Sequence, residues 1–344
     1  MMKWYDVPGN MDSNVVYSRI RLVRNWADYP FSGKMTKEQS QELVNELCSR
    51  LKEIDSADES AYRLWNLNQF SDLEKRALWE RRAINQSLAK KQDPTALLLS
   101  EDERVSIAIN GDDHVRIQVV EKGLNLSECY RRADMLDDII SEKIEYSFDD
   151  KYGYLTAFPT NVGTGLRASV IIHLPMLSRK KNFNSLVADM GRFGTSIRGV
   201  IGEGSENYGS LYQVSNQKTL GQTEKDIVDL VYKAAAELDA QERRLRKDAK
   251  NRHPVILEDE CYKSYGVLKY ARRLSAKDSM EFLSQSMSGV TDGILKTKEP
   301  CSVYSMILES QPANLLGRAE RPLNKEELEV ARADFLREHL PEIH

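Results

Sequence analysis

The chain has 344 residues, with 49 Lys and Arg against 53 Asp and Glu, for a formal net charge of −4. This balance removes any global basic field for nucleic acid or for a membrane surface, so an anion site would have to be local. A hydrophobic fraction of 41% and a charged fraction of 30% suit a packed core beneath exposed helices, and the length suggests two domains rather than one.

Cys48, Cys129, Cys261 and Cys301 stand far apart with no C-x-x-C pair. That speaks against a zinc site or a disulfide framework and fits a reducing cytosol. The segment 1–10 has no apolar signal region, and no run approaches the ~18 apolar residues of a membrane span. A cytoplasmic protein with no membrane and no nucleic-acid partner is expected.

In chain order, Val15–Arg24 reads as a strand in which Arg19 and Arg21 alternate with Ile20 and Leu22, placing both arginines on one face. Thr36 and Gln39 form a capping box for a helix to about Ile54, with Leu43, Leu47 and Leu51 at helical spacing. Residues 60–91 are charged and helix-compatible. Strands follow at Thr95–Leu99, Val105–Asn110 and His114–Val120; in the last, Val115, Ile117 and Val119 oppose His114, Arg116 and Gln118. Leu126, Tyr130, Ala133, Leu136, Ile140 and Ile144 mark an amphipathic helix.

Two more strands carry Leu166–Leu174 and Leu211–Ser215, with glycine-rich turns between them. Ile227, Leu230, Ala234 and Leu238 begin a helix ending in the basic run Arg243–Arg252, read as a solvated helix end. Pro254 marks a boundary, beyond which Lys269–Arg273, Ser279–Ser286 and an Asn324-capped segment to Leu340 are helical. Consecutive strands without strict β-α-β alternation indicate an α+β fold: an antiparallel sheet flanked by helices over 1–249, then a small all-α domain over 250–344.

Arg19, Arg21, Arg116, Arg167 and Arg198 all lie on or beside these strands. Any one alone reads as a solvated arginine with a surface carboxylate. Together they ask for an anion, because buried arginine needs partners and the guanidinium fork matches phosphate oxygens bidentately. No G-x-x-x-x-G-K-[ST] is present, nor the H-R-D and D-F-G sequences of protein kinases. His114 and His173 lack metal-ligand spacing and are read as structural.

The stretches Ser18–Asn25, Asp113–Gln118, Pro159–Ser169 and Arg198-Gly199 followed by Gly202-Glu203-Gly204 resemble, in order, the ATP:guanido phosphotransferases. Ser215-Asn216-Gln217 and Tyr262–Gly266 are most similar to the bacterial protein-arginine kinases of that family. The early position of Arg19 points the same way, since kinases of small guanidino metabolites carry a helical domain before this strand.

The resemblance implies ATP-dependent phosphorylation of arginine in proteins, with Mg²⁺ carried in on the nucleotide. By it, Ser18, Arg19, Ile20, Arg21, Arg82, Arg116 and Arg198 would bind ATP. Arg167, Ala168, Ser169, Val170 and Ile171 would line the nucleotide cleft, and Arg198, Gly199, Gly202 and Glu203 would form a closing loop. Asp112 and Glu203, with Arg167, would be catalytic. It further implies a homodimer through the C-terminal domain, an activator and a link to protein-degradation machinery.

The chain departs from the family pattern at four places. Gly111-Asp112 stands for two glutamates, Phe158 for a cysteine and Arg82 for a histidine. Leu328–Ala333 stands for an Arg-Asp-Ile-Arg-Arg-Ala motif implicated in binding phosphoarginine; Arg332 survives and is read as a surface helix residue. These departures keep two alternatives open: a catalytically weakened ATP-binding regulatory or adaptor protein, and a kinase for a free guanidino metabolite.

Overall fold

The computed structural model describes residues 2–9, 12–52, 54, 58, 60–200 and 207–344. Its centre is an eight-stranded sheet of β1 (Val15–Arg24), β2 (Tyr62–Asn66), β3 (Ala96–Ser100), β4 (Val105–Ile109), β5 (Val115–Lys122), β8 (Leu166–His173), β9 (Thr195–Gly199) and β10 (Leu211–Asn216). A small hairpin of β6 (Phe148–Asp149) and β7 (Gly153–Tyr154) stands apart. The order is β2-β3-β4-β5-β1-β8-β10-β9, with every neighbouring pair antiparallel. β1, the most arginine-rich strand, therefore sits in the middle.

One face of the sheet is apolar along its length. Ile20, Leu22, Val115, Ile117, Val119, Ala168 and Val170 join the main core with residues of α1 (Lys37–Arg50), α4 (Leu126–Ser141) and α6 (Glu224–Arg252). Capping boxes at Thr36 and Thr223 start two of these helices, satisfying backbone donors that the first turn leaves free.

The other face is divided. Tyr17, Val120 and Ile171 lie beneath C-terminal helices. Leu97, Leu99 and Ala108 lie beneath α2 (Asp72–Glu80) and α3 (Gln86–Lys90). Between the two apolar patches this face carries arginines, because the period of two that buries Ile20 and Leu22 turns Arg19 and Arg21 the opposite way.

Beyond α5 (Phe183–Arg192) and α6, the chain continues as α7 (Pro254–Tyr270), α8 (Ala276–Thr291), α9 (Val303–Glu309), α10 (Pro312–Arg318) and α11 (Lys325–His339). Polar ties join these helices to the sheet and to α2. His173 meets the Ser284 hydroxyl at 2.7 Å, and the Glu80 carboxylate accepts from the amides of Ala313 (2.8 Å) and Asn314 (3.1 Å) at the start of α10.

Four expectations need correction. Residues 60–91 are not uniformly helical: Tyr62–Asn66 is an edge strand on β3, and its aromatic residues show no clean alternation because an edge is exposed on both sides. The run Arg243–Arg252 is not wholly solvated, since Arg246 is buried and pairs with Asp292 at 2.8 Å. Arg332 is not on the surface: its guanidinium donates to the carbonyls of Ser310 (3.1 Å) and Leu274 (3.0 Å) inside the C-terminal helices. Helix α7 ends at Tyr270 rather than running to Arg273.

Candidate active site

Strand register gathers the arginines. Arg21 faces Arg167 across β1 and β8, Arg19 faces Ser169, Val23 faces Arg116, and Arg198 on β9 faces Gln213. Arg19, Arg21, Arg116, Arg167 and Arg198 line a cavity of about 410 Å³, with Asp112, Asn85, Phe158, Asn161 and Gln213 among the other walls.

Some of these cations have neutral partners. Arg19 donates through Nε to Ser169 Oγ at 3.2 Å and through Nη2 to Gln213 Oε1 at 2.9 Å. Arg167 donates to Ser215 Oγ at 3.3 Å. The Nε of Arg21 and both the Nε and Nη2 of Arg116 are buried with no acceptor among the described residues. A buried donor left unpaired costs about 1–3 kcal/mol, and more when charged.

The ionisation of the group tells the same story. Burial, then the charges of Arg19, Arg116 and Arg167, hold Arg21 well below the usual guanidinium range. Burial and Arg19 bring Arg116 down to about 10, against weaker support from Asp112 and Asp113. Burial, Arg198 and Arg19 lower Arg167 as well. A cluster of cations in this state suits a polyanion, whose oxygens would supply the acceptors that Arg21 and Arg116 lack.

Asp112 is the carboxylate facing this cluster. Asn85 caps α3 through its Oδ1, accepting from the Leu88 amide at 3.1 Å, and its amide nitrogen reaches Asp112 Oδ2 at 3.0 Å. The Ser87 hydroxyl donates to Asp112 Oδ1 at 2.5 Å. Lys91 fixes the turn behind it by donating to the Gly111 carbonyl at 2.8 Å.

The next two residues are structural. Asp113 accepts from Asn25 Nδ2 and from the Ala157 amide, each at 2.7 Å. His114 Nδ1 accepts from the Trp26 amide at 3.0 Å, which leaves its proton on Nε2 to bond the Pro30 carbonyl at 2.9 Å.

The glycine turn before β8 forms the opposite wall. Gly165 has φ +65°, and a Cβ there would fall 2.6 Å from Arg24 Nη1 and 2.7 Å from the Val23 carbonyl oxygen. Arg24 is itself fully buried: it pairs with Asp137 at 2.6 Å, donates to the Thr164 carbonyl at 2.9 Å and lies over the Tyr154 ring. Sheet, turn and helix α4 thus meet at one guanidinium.

The remaining expected residues divide by strand face. The side chains of Ser18, Ile20, Ala168 and Val170 do not reach the cavity; they point to the helix-covered side, where the Ser18 hydroxyl donates to the Gly123 carbonyl at 2.8 Å. Ser169 is on the cavity side as the partner of Arg19. Ile171 shares that face but lies under the C-terminal helices. Arg82, at φ 70°, accepts from Gln118 through its carbonyl and is not among the cavity walls. Arg198 is exposed, Gly199 follows it against Asn207, and Gly202 and Glu203 lie outside the described residues.

Asn85, Ser87, Asn161 and Gln213 were not expected. Gln213 could have been found, since it alternates with Ser215 on a strand beside β8. Asn85 and Ser87 carry no such signal, because a short helix across a turn brings them to Asp112.

The sequence profile of the ATP:guanido phosphotransferase C-terminal catalytic domain matches residues 41–245, well over half of the chain. The chain belongs to the ATP:guanido phosphotransferase family. The profile of the protein-arginine kinase McsB C-terminal domain matches residues 254–344. Among similar members, the protein-arginine kinase of Clostridium kluyveri is 38% identical over 328 residues, covering 95% of this chain and 94% of that protein. That of Brevibacillus brevis is 37% identical over 330 residues, covering 96% and 92%. Among solved structures, lombricine kinase superposes with a TM-score of 0.61 at 24% identity over 72% of each chain. The duplicated taurocyamine kinase of Schistosoma mansoni with transition state analog components gives 0.61 at 24% identity over 75% of this chain and 38% of that one. These two structures share the fold.

Proposed function

We propose that this protein is a protein-arginine kinase, transferring the terminal phosphoryl group of ATP to the guanidinium of arginine side chains in proteins. The observation that carries the reading is the unpaired, buried donor edge of Arg21 and Arg116 in the same cavity as the tethered carboxylate of Asp112. Relatives named protein-arginine kinase, alike over nearly the whole chain, support the acceptor.

Arg19, Arg21, Arg116, Arg167 and Arg198 would hold the phosphates and meet the charge that spreads over the transferring group, so catalysis rests on positioning and electrostatics. Mg²⁺ carried in with the nucleotide would neutralise phosphate charge while keeping several waters. A guanidinium is a poor nucleophile while protonated, with a pKa of about 12.5–13.8 in water. As its nitrogen bonds to the γ-phosphorus and the bond to the ADP oxygen breaks, Asp112 accepts the proton released. Asn85 and Ser87 keep Asp112 aimed at the acceptor. Glu203 is the second carboxylate of this proposal, on its match to the family motif.

The same proposal includes a catalytic domain over 1–249 and a helical domain over 250–344. The change of direction at His253 (φ −139°, ψ 53°) between α6 and α7 supports that division. A homodimer, an activator, a tie to protein degradation and a cytoplasmic setting rest on the family resemblance. No described helix is long and apolar enough to cross a membrane.

The test is incubation with ATP, Mg²⁺ and an arginine-rich protein, read as acid-labile phosphate on arginine. Complete absence of transfer by protein that binds ATP would sink the activity and favour the regulatory alternative. Suppression by equimolar free arginine would favour a small-guanidine kinase instead.

A further inference from the structure

A second, smaller cavity lies where the sheet meets the C-terminal helices. Its volume is about 70 Å³, room for a handful of waters or one small organic acid. Val15 at the start of β1, Lys122 at the end of β5 and His173 at the end of β8 form its sheet side. Met287 and Val290 of α8 and Val303 of α9 form the other side. It is thus at the opposite end of the three strands that carry Arg21, Arg116 and Arg167.

Lys122 is out of keeping with these walls. The period of two that buries Val120 under the C-terminal helices sends the Lys122 side chain to the same side. Across the β1–β5 ladder it faces Tyr17, a member of the same apolar cluster. Lys122 is half-buried, and among the described residues its ammonium has no hydrogen-bond acceptor and no ion-pair partner. Burial brings it down to about 8, against the opposing charge of Asp6. The oxygens of Asp6 already accept from the Lys3 amide (3.0 Å) and the Ser305 hydroxyl (2.7 Å). An ammonium withdrawn from water without a partner carries a cost that an anion beside it offsets.

The aliphatic hydroxyls and the imidazole of the wall are committed elsewhere. Ser13 donates to Asp239 at 3.4 Å, Thr291 to the Met287 carbonyl at 2.8 Å and Ser302 to the Tyr5 carbonyl at 2.5 Å, while His173 Nε2 meets Ser284 at 2.7 Å. Lys122 is the charged donor left open among the described walls, which suits a singly charged head. A phosphate dianion would bring a second charge with no cation to meet it. Val15, Met287, Val290 and Val303 offer apolar surface to an aliphatic body. We propose that this cavity is a binding site for a small aliphatic carboxylate, its head on the Lys122 ammonium and its chain against the valines and Met287. The bound acid touches sheet and C-terminal helices at once.

The experiment titrates the full chain with formate, acetate, butyrate and butylammonium. It follows the heat of binding and, by mass spectrometry, the rate of reductive methylation of the Lys122 amine. Butyrate should bind saturably, about tenfold tighter than acetate, the ratio expected for two buried methylenes. It should slow Lys122 labelling at least threefold, and butylammonium should do neither. Lys122→Met keeps the length and loses the charge; Val290→Phe keeps the charge and fills the cavity. Each should weaken butyrate at least tenfold. Wild-type Lys122 labelled at the same rate with and without butyrate would overturn the assignment, and this reading needs no variant to fold. Equal butyrate binding by Lys122→Met, or equal affinity for formate and butyrate, would overturn it as well.

Discussion

Arg21 and Arg167 stand directly opposite each other across the β1–β8 ladder. Like charges at opposed positions destabilise a sheet, since their Cβ atoms lie only ~5 Å apart. A protein keeps such a pair where an anion resolves it. The apo fold therefore carries a stored repulsion that nucleotide should relieve, which separates these arginines from arginines that hold the core together.

Arg116→Met tests that separation. The substitution removes a buried cation whose Nε and Nη2 have no acceptor, so stability without nucleotide should be unchanged or higher. ATP affinity should fall about 10- to 100-fold, as expected for lost charged hydrogen bonds of ~1.5–3 kcal/mol. Denaturant midpoints with and without ATP give both numbers at once. A variant that is less stable without ATP would mean Arg116 is a structural residue.

Asp112→Asn should leave ATP affinity within twofold while kcat drops about 10²-fold or more, because the amide cannot take the guanidinium proton. Asn85→Ala, which removes one of the two tethers of Asp112, should produce a smaller loss in kcat. Equal activity of wild type and Asp112→Asn would place the base elsewhere.

The glycine turn before β8 should be intolerant of small changes. Gly165→Ala places a Cβ against Arg24 and the Val23 carbonyl in a left-handed conformation, for a loss of about 2 kcal/mol or more. Asp137→Asn removes the nearer of the two carboxylates paired with the buried Arg24, leaving Glu224 at 3.6 Å, and should cost about 1.5–3 kcal/mol. Urea titrations report both. The first should also weaken ATP binding, since Gly165 and Asn161 are cavity walls.

His173 makes the fold sensitive to acid. Burial, with a smaller push from Arg246, holds it near 3, against about 6.5 in an unfolded chain. Below pH ~6.5 the unfolded state takes up the proton and the folded state does not. Stability therefore falls as pH drops, by about 1.4 kcal/mol per unit from this group, and is unaffected above pH ~7. His173→Gln should flatten the slope between pH 6.5 and 5 relative to wild type, measured as the difference in urea midpoint. Parallel slopes would show that the imidazole is free to ionise in place.

Local alternation made much of this legible beforehand. Arg19 against Ile20, and Arg116 against Ile117, state in two residues which face is core and which is cavity, and β1 has the bounds its pattern implies. The same rule turns the side chains of Ser18, Ile20, Ala168 and Val170 away from the cavity, a distinction that motif resemblance, which treats a stretch as a unit, does not make. Arg332 and Arg246 were misjudged because their acceptors are carbonyls and side chains dozens of residues away. A helix pattern has no term for those. Asn85 and Ser87 were invisible for the same reason: only the turn that lays α3 beside Gly111 brings them to Asp112.

The imbalance of charge in the cavity also bears on the order of events. Five guanidinium groups face it against the carboxylates of Asp112 and Asp113, and Asp113 is already spent on Asn25 and Ala157. An incoming arginine, itself a cation, is repelled by an empty cradle and repelled far less once a triphosphate has offset most of the local charge. Nucleotide should therefore load first, with arginine-peptide affinity rising at least tenfold in the presence of an ATP analogue and the effect shrinking in high salt. By reciprocity the peptide must tighten the nucleotide by the same factor. Equal peptide affinity with and without nucleotide would show that the cradle and the acceptor subsite do not sense each other.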